Sequence, residues 1–372
     1  MVKDKIINIL NIIGLTCLML DSGGGLKLRN ISFLIIFLFA FYGIYKDRAC
    51  NKNFINYYLI FIVTLVPGIW MSFANSIPVL QILNWVMSFA LIPLFYFYAK
   101  GSKLSQRSFV VAGFVFSIIV IALFFGRLMN IGIAVVANDY ITSHSDGFFG
   151  DKKFLSGGIL PNVYFQGTLS VIICGCLSLN NKNYIIFFVI LVGLILAPSR
   201  FGFLVLMLWA GFLFFKKSWR RLIYLPLIIV VCFVILQNLD FGIELFSVFT
   251  GESDSLEIRN GHFLSIYNIF ANNPVFFLTG QGPGSIFYTF GINSLTDNIE
   301  VSQLEYLRKY GILSFVAFCL FYFMPVFSRL KSDIFIKGAL LLYFIVSFSN
   351  PVLFSVFSML FLAFSYKEIF DN

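Results

Sequence analysis

The chain has 372 residues, 59% of them hydrophobic, 19% aromatic and only 12% charged, with a mean hydropathy of +0.92. Soluble domains carry about 45–50% apolar and about 25% charged residues, so this composition excludes a soluble globular enzyme, a disordered chain, a collagen and a disulfide scaffold. The formal charge of +9 is the excess expected of cytoplasmic loops in a membrane protein and is not read as nucleic-acid binding.

A membrane-spanning helix needs about 20 predominantly apolar residues. On that rule the sequence predicts an all-α, polytopic membrane protein of about twelve transmembrane helices, with one membrane domain over 1–372. The predicted spans are 5–20, 31–46, 55–73, 78–98, 108–129, 161–179, 183–199, 201–215, 222–238, 303–328, 334–349 and 351–366. Long continuous apolar runs, rather than short alternating ones, argue against a β-barrel. The opening Met1-Val2-Lys3-Asp4-Lys5 resembles a signal peptide, but no small-residue cleavage site follows cleanly. An uncleaved first span is therefore expected.

Placing both termini in the cytoplasm puts most of the 26 Lys and Arg residues on the inner side, as the positive-inside rule requires. Lys216-Lys217-Ser218-Trp219-Arg220-Arg221 is the strongest single anchor. Two long loops then lie outside, at 130–160 and 238–302, and both histidines, His144 and His262, fall in them. Cys17, Cys174, Cys176, Cys232 and Cys319 lie within apolar runs and read as small apolar fillers. HExxH, CxxC and DxD spacings are all missing from the sequence, so a mechanism without metal or cofactor is expected.

Taken in chain order, four segments carry the polar chemistry. Asn162, Tyr164 and Gln166 end the sixth span with sugar-binding residue types that are also common interface residues. Arg200, in Ala197-Pro198-Ser199-Arg200-Phe201-Gly202, sits between two apolar runs. It reads either as a phosphate ligand, through its planar fork of donors, or as an interfacial Arg snorkelling to headgroups.

The second loop predicts a helix capped near Asp254 or Ser255 and ended by Asn272-Asn273-Pro274. Leu256, Ile258, Phe263, Ile266, Ile269 and Phe270 would form its broad apolar face. Arg259 and His262, three apart, would share one side. They make an anion and proton site, or simply a solvated face on which Glu257 and Asp254 balance Arg259. Leu278-Thr279-Gly280-Gln281-Gly282-Pro283-Gly284-Ser285 reads as a tight structural turn, with exposed N–H groups for an anion as the alternative. Finally, Glu300 is a candidate general base on a sugar hydroxyl. Glu305 with Arg308 or Lys309 reads as an ordinary helix ion pair.

The layout and these residues resemble the O-antigen polymerase and O-antigen ligase superfamily of membrane glycan transferases. The resemblance rests on Ser199-Arg200-Phe201-Gly202, Arg259, Gly280-Gln281-Gly282-Pro283-Gly284-Ser285 and Leu304…Tyr310-Gly311-Ile312-Leu313. Arg200 and Gly211 match that family's RX10G spacing, whereas Phe270 stands at the matching position after Arg259. Ligases carry a His just before the tenth helix, where this chain has Glu300-Val301-Ser302-Gln303. This departure favours a polymerase.

The resemblance implies a GT-C-like fold in the bacterial inner membrane. It implies an undecaprenyl-diphosphate-linked oligosaccharide as substrate, membrane lipid around it and a chain-length regulator as partner. Arg200 and Arg259 would hold the diphosphate, and Glu300 or His262 would be the base. Asn162, Tyr164, Gln166 and Gln281 would contact the glycan. A lipid-linked oligosaccharide flippase ranks second, because the sequence has no internal repeat and almost no mid-span charge.

Overall fold

The computed structural model describes residues 2–46, 50–144, 148–153, 159–180, 182–197, 199–216, 254–299, 301–328 and 333–371. They are mostly helical. The first half runs α1 (Val2–Leu20), α2 (Leu28–Lys46), α3 (Lys52–Ala74), α4 (Val79–Ala90), α5 (Ile92–Gly101), α6 (Gln106–Leu128) and α7 (Gly132–His144). A hairpin of β1 (Phe148–Lys153) and β2 (Ile159–Tyr164) and a 3-10 turn (Gln166–Ser170) lead into α8 (Val171–Asn180), α9 (Tyr184–Leu196) and α10 (Arg200–Lys216). Next come α11 (Asp254–Asn272), α12 (Pro274–Thr279) and a hairpin of β3 (Phe287–Thr289) and β4 (Ser294–Thr296). Helices α13 (Ser302–Phe327), α14 (Ile334–Val346) and α15 (Val356–Phe370) follow. The expected span at 222–238 and the anchor residues 217–221 lie outside the described residues.

Among the described residues, five helices are long and apolar enough to cross a membrane: Leu28–Lys46, Lys52–Ala74, Val79–Gly101, Gln106–Leu128 and Ser302–Phe327. The third of these is α4 and α5 together. Pro93, at the first turn of α5, has no N–H to continue the ladder, so the run bends at Leu91.

Two short antiparallel hairpins accompany a mostly helical structure that is compatible with the expected all-α membrane fold. One expectation needs correction. The run 161–179 is not one helix: 161–164 belong to β2, and α8 begins only at Val171. Pro161 removes an N–H that a helix there would need, and Val163-Tyr164-Phe165 favours extended backbone. The described residues of loop 130–160 include α7 and much of the β1–β2 hairpin.

Helix packing in lipid relies on van der Waals fit and small residues, because lipid is as apolar as the side chains. Gly43 of α2 and Gly101 of α5 lie where any Cβ would overlap the partner's backbone, and this lets the two helices touch closely. Between α3, α5, α13 and α15 the core is aromatic, with Phe54 on Tyr96 at 4.4 Å and Phe61 on Phe321 at 5.6 Å. Some buried polar groups pair across helices, as where the Tyr98 hydroxyl donates to Asn11 Oδ1 at 2.9 Å and Asn11 Nδ2 donates to the Ser102 carbonyl.

Polar contacts separate the two ends of the bundle. Lys103 meets Asp4, and Lys100 meets Asp371, each at 3.4 Å, so residues near both chain ends share one face. Contacts between Asn75 and Gln281, Ser302 and Ser347, and Arg259 and Ser349 define the opposite face. The described parts of both long loops gather there.

Candidate functional site

The site is built around a break in α13. Gly311 has φ 76° and ψ 175°, a region essentially restricted to glycine. A break leaves carbonyls of the preceding turn without intrahelical donors. The glycine-rich turn supplies them: Gln281 N–H donates to the Arg308 carbonyl at 2.7 Å, and Gly282 N–H to the Lys309 carbonyl at 3.0 Å. Gly280, Gly282 and Gly284 all have positive φ, and a Cβ on Gly280 would overlap the Lys309 carbonyl. Ser72 and Asn75 of the α3 end tie the same turn down through the carbonyls of Pro283 and Gln281. These two N–H groups are therefore spent on α13, not on an anion.

The side chains just before the break form a buried ionic cluster. Arg308 is 0% exposed, Lys309 1% and Glu305 3%. Arg308 grips Glu305 as a fork, with Nε to Oε2 at 3.1 Å and Nη2 to Oε1 at 2.7 Å. Its remaining donors reach Gln281 Oε1, the Ser285 hydroxyl and carbonyl and the Asp297 carbonyl, and its plane lies 4.3 Å from the Phe287 ring centroid. All five N–H groups of the guanidinium are thus used. Lys309 Nζ lies 2.5 Å from Glu305 Oε1 and against the Trp85 ring. The pair expected on a solvated helix surface is in fact a buried triad.

Above it, α11 lies over the start of α13. Ile266, Ile269 and Phe270 pack with Phe287, Ile299 and Leu304 in a small core of their own. Phe263, expected on that same apolar face, is exposed with Leu264 and Tyr267. Arg259 extends from α11 to donate from Nη2 to the Ser349 carbonyl at 3.3 Å. His262 is 2% exposed, with Nδ1 2.6 Å from Thr289 Oγ1. Arg259 therefore reaches the turn between α14 and α15, and His262 the β3–β4 hairpin.

The other candidates lie at the same end of the bundle. Asn162 is buried on β2 opposite Gly150, Tyr164 is half-buried, and Gln166 is exposed where the 3-10 turn starts. That turn touches α14, whose C-terminal end receives Arg259. Arg200 is the first residue of α10, and neighbouring Gly202 abuts Leu169 and Ile172. The Arg200 side chain and Glu300 lie outside the described residues. Gly211, the other end of the RX10G spacing, has open space around it, so packing does not require glycine there.

Sequence reasoning passed over Lys309, Arg308 and Trp85 as site residues. The signal was two adjacent cations inside a 26-residue apolar helix, a placement that marks function more often than surface pairing. No protein-family model matches the chain, and comparison with curated proteins gives no match.

Proposed function

We propose that this chain is a polysaccharide polymerase of O-antigen or capsule type in a bacterial inner membrane. It would transfer a growing undecaprenyl-diphosphate-linked glycan to a new lipid-linked repeat unit at the outer face. The observation that carries the reading is Arg259. It bridges the second long loop to the α14–α15 turn, directly over the end of α13 that holds Ser302, Gln303 and the ionic triad.

In this reading an acceptor hydroxyl oxygen attacks the anomeric carbon of the donor glycan. The bond from that carbon to the phosphate oxygen breaks as the new glycosidic bond forms. The hydroxyl proton passes to Glu300 or His262, and undecaprenyl diphosphate leaves. The leaving group is already anionic, so holding its charge and assisting one proton transfer is most of the catalytic task. Arg200 and Arg259 hold the diphosphate, and Asn162, Tyr164, Gln166 and Gln281 face the glycan. Gln281 Oε1 already accepts from Arg308, which leaves its amide NH2 as the contributing group. An apolar recess of 310 Å³ between α3 and α13, lined by Tyr57, Phe315, Cys319 and Phe323, suits a polyprenyl tail.

One observation favours the flippase as second reading. Glu305, Arg308 and Lys309 are buried charges in a helix broken at Gly311, and broken helices with intramembrane charge are transporter traits. The test is the purified protein in sealed liposomes with a synthetic lipid-linked repeat unit. A ladder of products supports the polymerase. Repeat units moved between leaflets without lengthening would replace it with the flippase.

A further inference from the structure

Helix α12 joins an apolar sequence to an unexpected depth. Pro274-Val275-Phe276-Phe277-Leu278-Thr279 has no charged side chain, and Val275, Phe277 and Leu278 are exposed. Its C-terminal end does not stop where the bundle stops. A Cβ on Gly68 of α3 would lie 3.2 Å from the Thr279 carbonyl oxygen, and one on Gly311 of α13 would overlap the Leu278 carbonyl. Gly68 precedes Ala74, the last residue of α3, by six positions, or about 9 Å at 1.5 Å per residue. Trp70, two positions nearer that end than Gly68, is 70% exposed. An exposed tryptophan near the end of a span marks the headgroup boundary. The tip of α12 therefore lies beneath that boundary.

From there the chain climbs back along α3. A Cβ on Gly282 would overlap Ser72, and one on Gly284 would meet Ile77, beyond the end of α3. Irregular backbone at membrane depth is tolerated only where protein answers its polar groups. Here Gly280, Gly282, Pro283 and Gly284 are buried. The N–H groups of Gln281 and Gly282 donate to α13 carbonyls, and the Pro283 and Gln281 carbonyls accept from Ser72 and Asn75. The exposed side of α12 needs no such partners, because its side chains are hydrocarbon.

We propose that residues 273–285 form a re-entrant element that dips into the lipid leaflet at this end of the bundle, with Val275, Phe277 and Leu278 against lipid acyl chains. Acyl chains, rather than a second protein, fit the patch because it continues the apolar surface of the two spans that α12 touches. Val66 and Phe73 on α3, and Leu313 and Val316 on α13, are likewise exposed. The patch also runs upward. Phe263, Tyr267 and Phe270 follow the i, i+4, i+7 spacing of one helix face, and the Phe270 ring meets Phe277 edge-on at 5.6 Å. Phe263 and Tyr267 are exposed, which rests α11 at headgroup level, where such rings are favoured.

This placement does not rest on the polymerase reading. The test uses the full chain in phosphatidylcholine liposomes. Leu278→Trp and Val275→Trp each add one indole to the four present, and the unaltered chain supplies the background emission. Both positions are exposed, so the new ring displaces no packed contact. Lipid brominated on its acyl chains quenches indoles that those chains touch, and iodide quenches indoles in water.

Expected is loss of most of the added emission to brominated lipid in both variants, with iodide leaving it unchanged. Tyr267→Trp, higher on the same stripe, should lose less to brominated lipid. A second measurement needs no fluorophore. Leu278→Asp should lower the yield of folded protein in membranes, because a carboxylate in hydrocarbon is costly. Added emission that iodide removes, or that neither quencher reaches because protein covers it, would overturn the re-entrant placement. So would an unchanged yield of Leu278→Asp.

Discussion

The amide of Gln281 donates to the carbonyl of Arg308 at 2.7 Å, three residues before α13 turns aside at Gly311. The turn and the broken helix are thus one unit: each supplies what the other's backbone lacks.

Gly311→Ala should therefore destabilise the protein. Alanine is strained at φ 76°, ψ 175° by about 1–3 kcal/mol, and its Cβ would also overlap the Leu278 carbonyl. Gly211→Ala is the control. It lies within a helix with open space around it, so a gain of about 0.5–1 kcal/mol is expected. Thermal unfolding in detergent reads both, and equal Tm values would contradict the account of the break.

Arg308→Ala should be the most damaging single change in this region. It leaves the Glu305 carboxylate and the Gln281, Ser285 and Asp297 acceptors with their shared donor gone. Removing one partner of a buried pair costs about 3–5 kcal/mol. The measurable outcome is loss of folded, monodisperse protein in the membrane fraction. Normal yield and Tm would show that the triad adds nothing to stability.

Arg259→Ala should abolish polymer growth while the folded protein persists, because the side chain is half-buried and makes its 3.3 Å bond to a turn carbonyl rather than to the core. Arg259→Lys should also be weak, since a point charge lacks the planar fork. Arg200→Ala is expected to match it. Glycan length on a gel gives the answer: single repeat units in each variant support the clamp, and long polymer from both alanine variants removes it.

His262 and Thr289 separate a chemical role from a structural one. Thr289 is fully buried, and its hydroxyl meets His262 Nδ1 at 2.6 Å. Thr289→Val should cost about 1–3 kcal/mol by removing the hydroxyl that meets His262 Nδ1 and accepts from the Gly291 N–H. If His262 is the base, His262→Gln loses turnover with little change in Tm. If it only fastens α11 to the hairpin, Tm falls while the surviving folded fraction still works.

Much of the architecture was legible in the residues alone. Long apolar runs can satisfy their backbone in lipid only as helices, and Leu28–Lys46, Lys52–Ala74 and Gln106–Leu128 follow directly. The helix at Asp254–Asn272 and the turn at Gly280–Gly284 were likewise readable, from capping residues and from glycine spacing. These are local preferences, set by neighbours a few positions away. Which charges are buried together is a different kind of property. Gln281 meets Arg308 across 27 positions, and Arg259 meets Ser349 across 90. By spacing alone, Glu305 with Arg308 or Lys309 reads as a solvated helix pair, because spacing carries no information about water; only their place in an apolar run hints otherwise. Only when Trp85, Phe287 and the glycine turn close around them does the solvent leave, and with it the screening that would have weakened their attraction.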